Sequence, residues 1–348
     1  MTLIHLFKCD EAKPACGNCI KHSVDCDFLS LDSPRSKLSP GPSQALDMSS
    51  LELLHNFTTR TYVTLSESLI LRDFYRFSAV QRGLQCEYIM RTLLAISALH
   101  LAHHNVERRD HYQSLGMAQH QIATRDAMAL ITDPSPETAE SLFLFSTLTI
   151  YFALACPRKD DGPLFIEESG FPEWMFLLQG TRAFMSIAGD QSNRLMAPLL
   201  NHGADRWFAR QAGPDSSLDV ANRHLTGMRS MIELRQSDAK LRNIYVRAID
   251  ELQKSFSILD RIGCEPCDLT DAFVWIFEVA EDLLPLLRVP TQEAVAIFAF
   301  FAVLLKRMEK HWYLHGWADH LIAKSYHLLD EEHRLWIQWP LQETGWIP

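Results

Sequence analysis

Residues 241–259, LRNIYVRAIDELQKSFSIL, carry the pattern that decides the fold. Apolar side chains recur there at steps of three and four residues, which brings them onto one face of an α-helix. These side chains are Leu241, Tyr245, Ala248, Leu252, Phe256 and Leu259. Gly263 follows and predicts the end of the helix. The stretch therefore predicts a long helix with one face packed against a core.

The same spacing recurs just before this stretch and predicts a second amphipathic helix. Its apolar face contains Leu218, Ala221, Leu225, Met228 and Ile232. Two further helix starts are predicted, by Ser135-Pro136-Glu137, which is typical of an N-cap and first turn, and by Thr291 after Pro290. Alternating strand patterns are absent. Residues 51–348 are therefore predicted to form one all-α domain of roughly ten or more helices.

Composition and charge narrow the class of protein. The chain has 348 residues, of which 47% are apolar, and a formal net charge of −10. This composition excludes a disordered or fibrous protein. Because phosphate binding needs concentrated Lys and Arg, contact with DNA would have to come from a local feature.

Neither secretion nor membrane insertion is predicted. Residues 1–7 have no basic residue before their short apolar stretch, as a secretory signal requires. The run LFLFSTLTIYFALAC, residues 142–156, is shorter than the roughly 20 residues of a membrane span. It predicts a buried core helix.

The chain divides by composition into three zones. Residues 1–28 contain four of the eight cysteines, and half of the positions in 29–50 are Ser, Pro or Gly. This middle zone predicts a flexible linker, and residues 51–348 form the helical domain.

The four N-terminal cysteines, Cys9, Cys16, Cys19 and Cys26, form the pattern C-x6-C-x2-C-x6-C. Thiolates two residues apart can hold one tetrahedral zinc, and the outer pair can complete the site. In a reducing compartment such clusters favour metal binding over disulfides. The alternative is four unliganded thiols.

The segment KCDEAKPACGNCIKHSVDCDF, residues 8–28, closely resembles the second half of the fungal six-cysteine binuclear zinc cluster. The resemblance implies that Cys9, Cys16, Cys19 and Cys26 are the third to sixth ligands, with Cys16 bridging two zinc ions. It also implies DNA binding, for which the nearby basic candidates are Lys8, Lys13 and Lys21.

The first half of that cluster, with two cysteines and a basic helix, is missing from MTLIHLF, residues 1–7. Residues 1–40 contain equal numbers of basic and acidic residues, whereas a DNA-binding arm is positive. Either the gene model starts too late or the chain is a truncated relative, and we favour the misplaced start. One mononuclear site built from the four cysteines is the form that zinc binding would then take.

The helical zone resembles the regulatory domain of fungal zinc-cluster factors related to the sterol uptake control regulators. The stretches that carry this resemblance are LELLHNFTTRTYVTLSES (51–68), WMFLLQGTRAFM (174–185), AIFAFFAVLLKRM (296–308), HGWADHLI (315–322) and LWIQWP (335–340). The resemblance implies a ligand-binding domain with an apolar pocket for a sterol.

Aromatic side chains near the C-terminus could line such a pocket or simply fill the core. They are Phe298, Phe300, Phe301, Trp312, Trp317, Trp336 and Trp339.

Weaker motifs favour structural roles. His100, His103 and His104 have a zinc-compatible spacing but predict a polar helix end. Cys264 and Cys267 form C-x2-C without the βαβ setting of a redox site and predict a loop. The acidic run 330–332 predicts a solvated helix end. No motif indicates catalysis, so we expect no enzyme.

Three functions follow, in order of preference. The first is a nuclear, zinc-dependent DNA-binding transcription regulator whose helical domain senses a sterol, another apolar ligand or a protein partner, and which could form a homodimer. The second is a regulator that has lost DNA binding and acts through partners or a bound lipid. The third is an uncharacterised helical enzyme.

Overall fold

The computed structural model describes residues 47–131, 135–157, 196–211, 220–262 and 268–348. All regular structure in these ranges is helical, which confirms the predicted all-α class. The chain divides into two compact units, Met1–Ser49 and Ser50–Pro348, and nearly all described residues belong to the second.

The longer helices in the described ranges are α1 Met48–Asn56, α2 Glu87–His104, α3 Arg109–Ile131, α4 Pro136–Ala155, α5 Ala197–Gln211, α6 Val220–Arg235, α7 Ala239–Ile262, α8 Leu269–Arg288, α9 Gln292–Arg307 and α10 Trp317–Leu328. Shorter α-helical segments are Tyr62–Thr64, Leu69–Asp73, Val80–Gln85, Glu331–Arg334 and Gln338–Thr344. Single turns of π-helix span Phe57–Thr61 and Phe74–Ala79, and 3₁₀ turns span Val106–Arg108, Trp312–Leu314 and Leu335–Ile337.

The two amphipathic helices form as their spacing predicts. In α7 the predicted face is buried from Tyr245 to Leu259, and the helix ends at Ile262, directly before the predicted glycine stop. In α6 the four described residues of the predicted face are buried, namely Ala221, Leu225, Met228 and Ile232. Leu218 lies outside the described residues.

Helix α9 lies at the centre of the C-terminal half. Every side chain from Ala294 to Leu305 is buried, and the helix packs against α7, α8, α10 and the Gln338–Thr344 segment. Such all-round burial requires the continuous apolar run that the sequence supplies. Thr291 is its N-cap residue, as predicted.

An aromatic contact joins α9 to its two preceding helices. The Trp275 ring on α8 stacks on Phe301 of α9, with 5.0 Å between ring centroids. The Trp275 indole N–H also donates to the Ala248 carbonyl oxygen on α7 at 2.8 Å. A buried indole N–H usually has such a partner, and here the bond joins α8 to α7 while the ring stack joins α8 to α9.

Helix α4 begins as predicted. The Ser135 hydroxyl accepts from the Thr138 amide at 3.3 Å, and Pro136 occupies the first helical position. Within the described residues this is the one helix long and apolar enough, by length and composition, to cross a membrane. Because 72% of that window, Thr138–Ala155, is buried inside the protein, the helix fits the predicted core role.

Two hydrogen bonds connect the N-terminal helices to the segment around α10, and a third connects α4 to Leu65. The Trp317 indole donates to the Leu154 carbonyl oxygen at 2.7 Å, and the Trp312 indole donates to the Thr64 hydroxyl at 2.9 Å. The Tyr151 hydroxyl donates to the Leu65 carbonyl oxygen at 2.9 Å. These bonds cross between elements far apart in sequence and therefore specify the tertiary arrangement.

A buried acidic cluster fixes the start of α8. The Asp268 carboxylate accepts from the Ser66 hydroxyl and the Glu67 amide, both at 2.9 Å, and lies 2.8 Å from Nε2 of His202 on α5. Burial alone would raise the pKa of Asp268, but these partners outweigh burial and lower it. Asp271 completes a capping box with Asp268.

Helices α2 and α3 approach closely at Gly116. A Cβ atom placed there would lie 3.1 Å from the Ala95 carbonyl oxygen and 3.3 Å from the Ala98 Cβ. At Gly227 on α6 a Cβ atom would meet no other atom within 4 Å. The first glycine is required by packing, whereas the second is not.

We therefore expect Gly227→Ala to raise the free energy of unfolding by about 0.5–1 kcal/mol, because alanine is the better helix former. Gly116→Ala makes the same chemical change but overpacks the α2–α3 contact, which costs roughly 1–3 kcal/mol. Denaturant unfolding of the two variants measures the difference. Equal stabilisation by both would contradict close packing at Gly116.

Candidate functional site

The predicted zinc ligands Cys9, Cys16, Cys19 and Cys26 lie outside the described residues, as do the DNA-binding candidates Lys8, Lys13 and Lys21. So do Cys264 and Cys267. Within the described residues no group of three or more His, Cys, Asp or Glu side chains is placed to hold a metal ion. The site that the structure does describe lies in the helical unit, around the three histidines of α2.

His103 and His104 lie at the exposed C-terminal end of α2, as the sequence predicts. His100, one turn earlier, is buried. The rings of His100 and His103 lie 5.0 and 5.9 Å from the Trp312 ring, and His103 lies 6.2 Å from His315. The structure thus joins the end of α2 to the 312–315 segment.

His100 belongs to a buried polar network built on the π turn Phe57–Thr61. The Asn56 amide donates to the Thr61 hydroxyl at 3.0 Å and to the Ser97 hydroxyl at 2.9 Å. Nδ1 of His100 lies 3.1 Å from the same Thr61 hydroxyl. Asn56 and Thr61 are five residues apart, the spacing that a π turn brings together.

The environment of His100 disfavours its charged form. Burial, the neighbouring His104 and His103 rings and the Arg60 guanidinium lower the pKa of His100 from 6.5 to about 4. Its imidazole is therefore neutral at neutral pH and acts as a hydrogen-bonding core residue.

A cavity of about 330 Å³ opens beside this network. Its apolar wall is formed by Leu99, Ala102, Leu154, Ala155 and the Trp312 ring. Its polar groups come from three separate elements and are His103 on α2, Arg109 and Gln113 on α3, and His315 after the 3₁₀ turn. Its remaining lining residues are Cys156, Pro157 and Tyr313.

Arg109 and Gln113 reach the cavity together because they are four residues apart on α3, so they share one helix face. Partial burial and the adjacent charges of His104, His315 and Arg109 lower the pKa of His103. Burial raises the pKa of the Cys156 thiol to about 12, so this thiol is protonated and unreactive at neutral pH.

A second depression runs along the outer face of α7 and is a weaker candidate. Its charged groups already pair within the protein: Arg247 with Asp282, Asp250 with Arg229, and Lys254 with Glu251. A ligand would have to displace these ion pairs.

The aromatic residues expected to line a sterol pocket or to fill the core mostly fill the core. Phe298, Phe300, Phe301 and Trp339 are buried, and Trp317 and Trp336 are half-buried and packed against the same cluster. Trp312 alone among them lines the cavity beside α2.

Two remaining sequence motifs have structural roles. Asp330 of the acidic run 330–332 is exposed and begins a helix, where its carboxylate accepts from the His333 amide at 2.8 Å. The run is therefore solvated as predicted, but at a helix start. The sequence predicted one polar helix end from His100, His103 and His104. That prediction did not include the burial of His100 or the position of His103 in the cavity lining.

The pKa of His100 yields a prediction about stability and pH. Because the folded pKa, about 4, lies below the unfolded value of 6.5, the unfolded state binds more protons between these values. The stability that this residue contributes is present above pH 6.5 and is lost as pH falls towards 4, by about 3 kcal/mol in total. His100→Asn, which keeps a donor for Thr61, should flatten this part of the pH–stability curve.

Denaturant unfolding at several pH values between these limits measures the effect. His120→Asn is the parallel variant, because burial also lowers the pKa of His120 to about 4. Each variant should remove part of the acid sensitivity, and the double variant should remove both parts. An unchanged curve for His100→Asn would contradict the buried, neutral histidine.

Comparison with known proteins places the N-terminal cysteines in a family. Residues 6–36 match the fungal Zn(2)-Cys(6) binuclear cluster domain. The chain is also 23% identical to a Zn(2)-C6 fungal-type transcription factor of Gibberella zeae, in an alignment of 423 positions that covers 97% of this chain and 82% of the relative. No solved structure matches the chain significantly.

A second relative, the Zn(2)-C6 fungal-type transcription factor afumD of Aspergillus fumigatus, is 23% identical over 202 positions, which cover 52% of this chain and 51% of the relative. Zinc is the cofactor of the matched domain. The resemblance seen in the cysteine spacing is thereby confirmed: the chain carries a fungal Zn(2)-Cys(6) cluster domain at residues 6–36 and is similar along nearly its whole length to a fungal zinc-cluster transcription factor.

Proposed function

We propose that this protein is a zinc-dependent, DNA-binding transcription regulator with a helical regulatory domain. The observation that carries the proposal is the match of residues 6–36 to the fungal zinc-cluster domain. The similarity to a relative named a transcription factor, which covers 97% of this chain, supports it. The proposed division is a DNA-binding module at 1–28, a linker at 29–50 and the regulatory domain at 51–348.

Within the module, the proposed zinc ligands are Cys9, Cys16, Cys19 and Cys26. Four thiolates complete one tetrahedral site, and the C-x2-C pair can hold the metal from a tight turn. A preformed site rarely exists in an unfolded chain, so zinc binding would also supply folding free energy to this short segment. The two cysteines described in the helical unit, Cys86 and Cys156, are free thiols far apart in sequence.

The helical domain is proposed to receive the regulatory signal. A sterol or another apolar ligand stays a prediction from the resemblance, as do a protein partner and a homodimer. The function proposed is regulatory and not enzymatic, and it places the protein in the nucleus. The alternative function is a regulator that acts through partners or a bound lipid without contacting DNA.

Removal of zinc ligands tests the metal site. We expect the full chain to bind one zinc ion, and we expect Cys16→Ser or Cys19→Ser to abolish stoichiometric binding, because a three-thiolate site is incomplete. Cys86→Ser is the matched control, since Cys86 lies in the helical unit and its Sγ is 3.8 Å from the Ser141 hydroxyl. Metal analysis of the purified chains gives the stoichiometry, and zinc retention in both cysteine variants would refute the assignment.

DNA binding is tested by its salt dependence. If Lys8, Lys13 and Lys21 contact phosphates, changing all three to Gln should weaken binding and reduce the slope of log affinity against log salt by about 2–3. Lys240→Gln, an exposed substitution on α7, should leave the slope unchanged. A gel-shift titration at several salt concentrations measures both. A slope that the triple variant does not alter would favour regulation without these DNA contacts.

A further inference from the structure

We propose that the cavity between α2, α3 and the 312–315 segment binds a small organic carboxylate, with its anionic group between Arg109 and His103 and its apolar part against Trp312 and Leu99. The inference rests on the proposed function in one respect, that a regulatory domain takes an effector. It names the chemical class of that effector.

The first support is that two of the polar side chains lining the cavity, those of Arg109 and Gln113, have no polar partner among the described residues. In the part of the chain that the structure describes, the Arg109 guanidinium forms no ion pair or hydrogen bond, and neither does the Gln113 amide. Other arginines of the same helix pair, such as Arg91 with Glu87 and Arg125 with Asp126, are satisfied by carboxylates. Arg109 and Gln113 therefore present donors to whatever occupies the cavity.

The second support is the sign of the charge around the cavity. Among the described residues, its lining contains one guanidinium and two imidazoles and no acidic side chain. Glu309, a carboxylate that interacts electrostatically with His315, already accepts from the Gly316 amide at 2.8 Å and pairs with Lys306 at 2.7 Å. A carboxylate in the cavity would therefore meet the Arg109 guanidinium, which no described lining residue neutralises.

The third support is the apolar part of the lining, in which the Trp312 ring is partly exposed. Leu99, Ala102 and Leu154 are buried around the cavity, and Trp312 presents a large ring held in place by the hydrogen bond from its indole N–H to Thr64. At about 330 Å³ the cavity is at the small end of the range of ligand sites. These features select a compact ligand with one flat or branched apolar part.

Binding should depend on pH through His103. Partial burial and the charges of His104 on its own helix, Arg109 on α3 and His315 lower the pKa of His103. A bound carboxylate would favour the charged imidazole and raise this pKa again. Protonation and ligand binding are therefore coupled, and affinity should rise as pH falls.

The test uses the zinc-loaded full chain, with benzoate as the probe. Isothermal titration calorimetry measures benzoate binding at about pH 6 and about pH 8, on either side of the usual histidine pKa. We expect saturable binding that is tighter at the lower pH. Benzamide, the neutral isostere, should bind at least about tenfold more weakly, because it lacks the charge-assisted bonds. Inorganic phosphate, which lacks the apolar part, should also bind more weakly.

Arg109→Gln should lower benzoate affinity by about tenfold or more, and His103→Gln should remove most of the pH dependence. Both residues are exposed at the rim, so the variants should fold. Arg125→Gln, on the same helix but away from the cavity, is the matched control. No benzoate binding, equal binding of benzamide, equal or tighter binding of phosphate, or full affinity in Arg109→Gln would each overturn the proposal.

Zinc content and DNA shift, measured on the same preparations, separate this proposal from the function it rests on. If benzoate fails to bind while zinc and DNA binding persist, the effector assignment falls and the regulator stands. If benzoate binds as expected while zinc and DNA binding are absent, the cavity is an anion site in a protein of another function.

Discussion

The buried carboxylate of Asp268 is the constraint on which the arrangement of the helical unit depends. A buried charge is costly unless it is paired and hydrogen-bonded, and Asp268 has three partners from two separate parts of the chain: Ser66 and Glu67, and His202. Hydrophobic burial does not specify direction, whereas these bonds do. They place the start of α8 against both the 66–67 turn and α5. Asp271, in the first turn of α8, adds a buried ion pair with Arg206 of α5.

From the start of α8, a series of packing contacts leads through α9 to the cavity. Helix α8 brings Trp275 onto Phe301 and the Ala248 carbonyl oxygen, which sets α9 and α7. Helix α9 leads directly into the 312–315 segment, where Trp312 bonds to Thr64 and faces His100. The cavity therefore lies where α2, α3 and the end of α4 meet the 312–315 segment that follows α9.

Local sequence patterns predict the elements of this fold well. The spacing in α6 and α7, the Ser135 cap and the apolar run of α9 each depend on residues close in sequence, so periodicity and capping reveal them. Asp268 and Asp271 also stand at the spacing of a capping box, a local signal that could have revealed the start of α8. The role of Asp268 in joining Ser66 and His202 has no such signal, because its partners are far away in the chain.

The cavity illustrates the same limit. Its residues come from 99–113, 154–157 and 312–315, and no local pattern connects these segments. The histidines have a spacing compatible with zinc, whereas Arg109 and Gln113 belong to no motif, and only the structure shows that they line one cavity without a partner among the described residues. The aromatic concentration near the C-terminus did not distinguish core from pocket, since both select the same side chains.

The side chains that line the cavity discriminate between neutral and anionic ligands. A neutral apolar ligand placed there would remove water from the Arg109 guanidinium and the Gln113 amide, which have no partner among the described residues, at a cost in desolvation that apolar contacts with Trp312 would have to exceed. An anionic ligand would accept hydrogen bonds from these two side chains, so they would then favour binding. A ligand shifts a conformational equilibrium only through its different affinity for the two states. Because this cavity takes donors from α2, α3 and the 312–315 segment, an anion gains most in the state that holds all three together. Binding would thus favour the joined arrangement that the Trp312–Thr64 bond also stabilises.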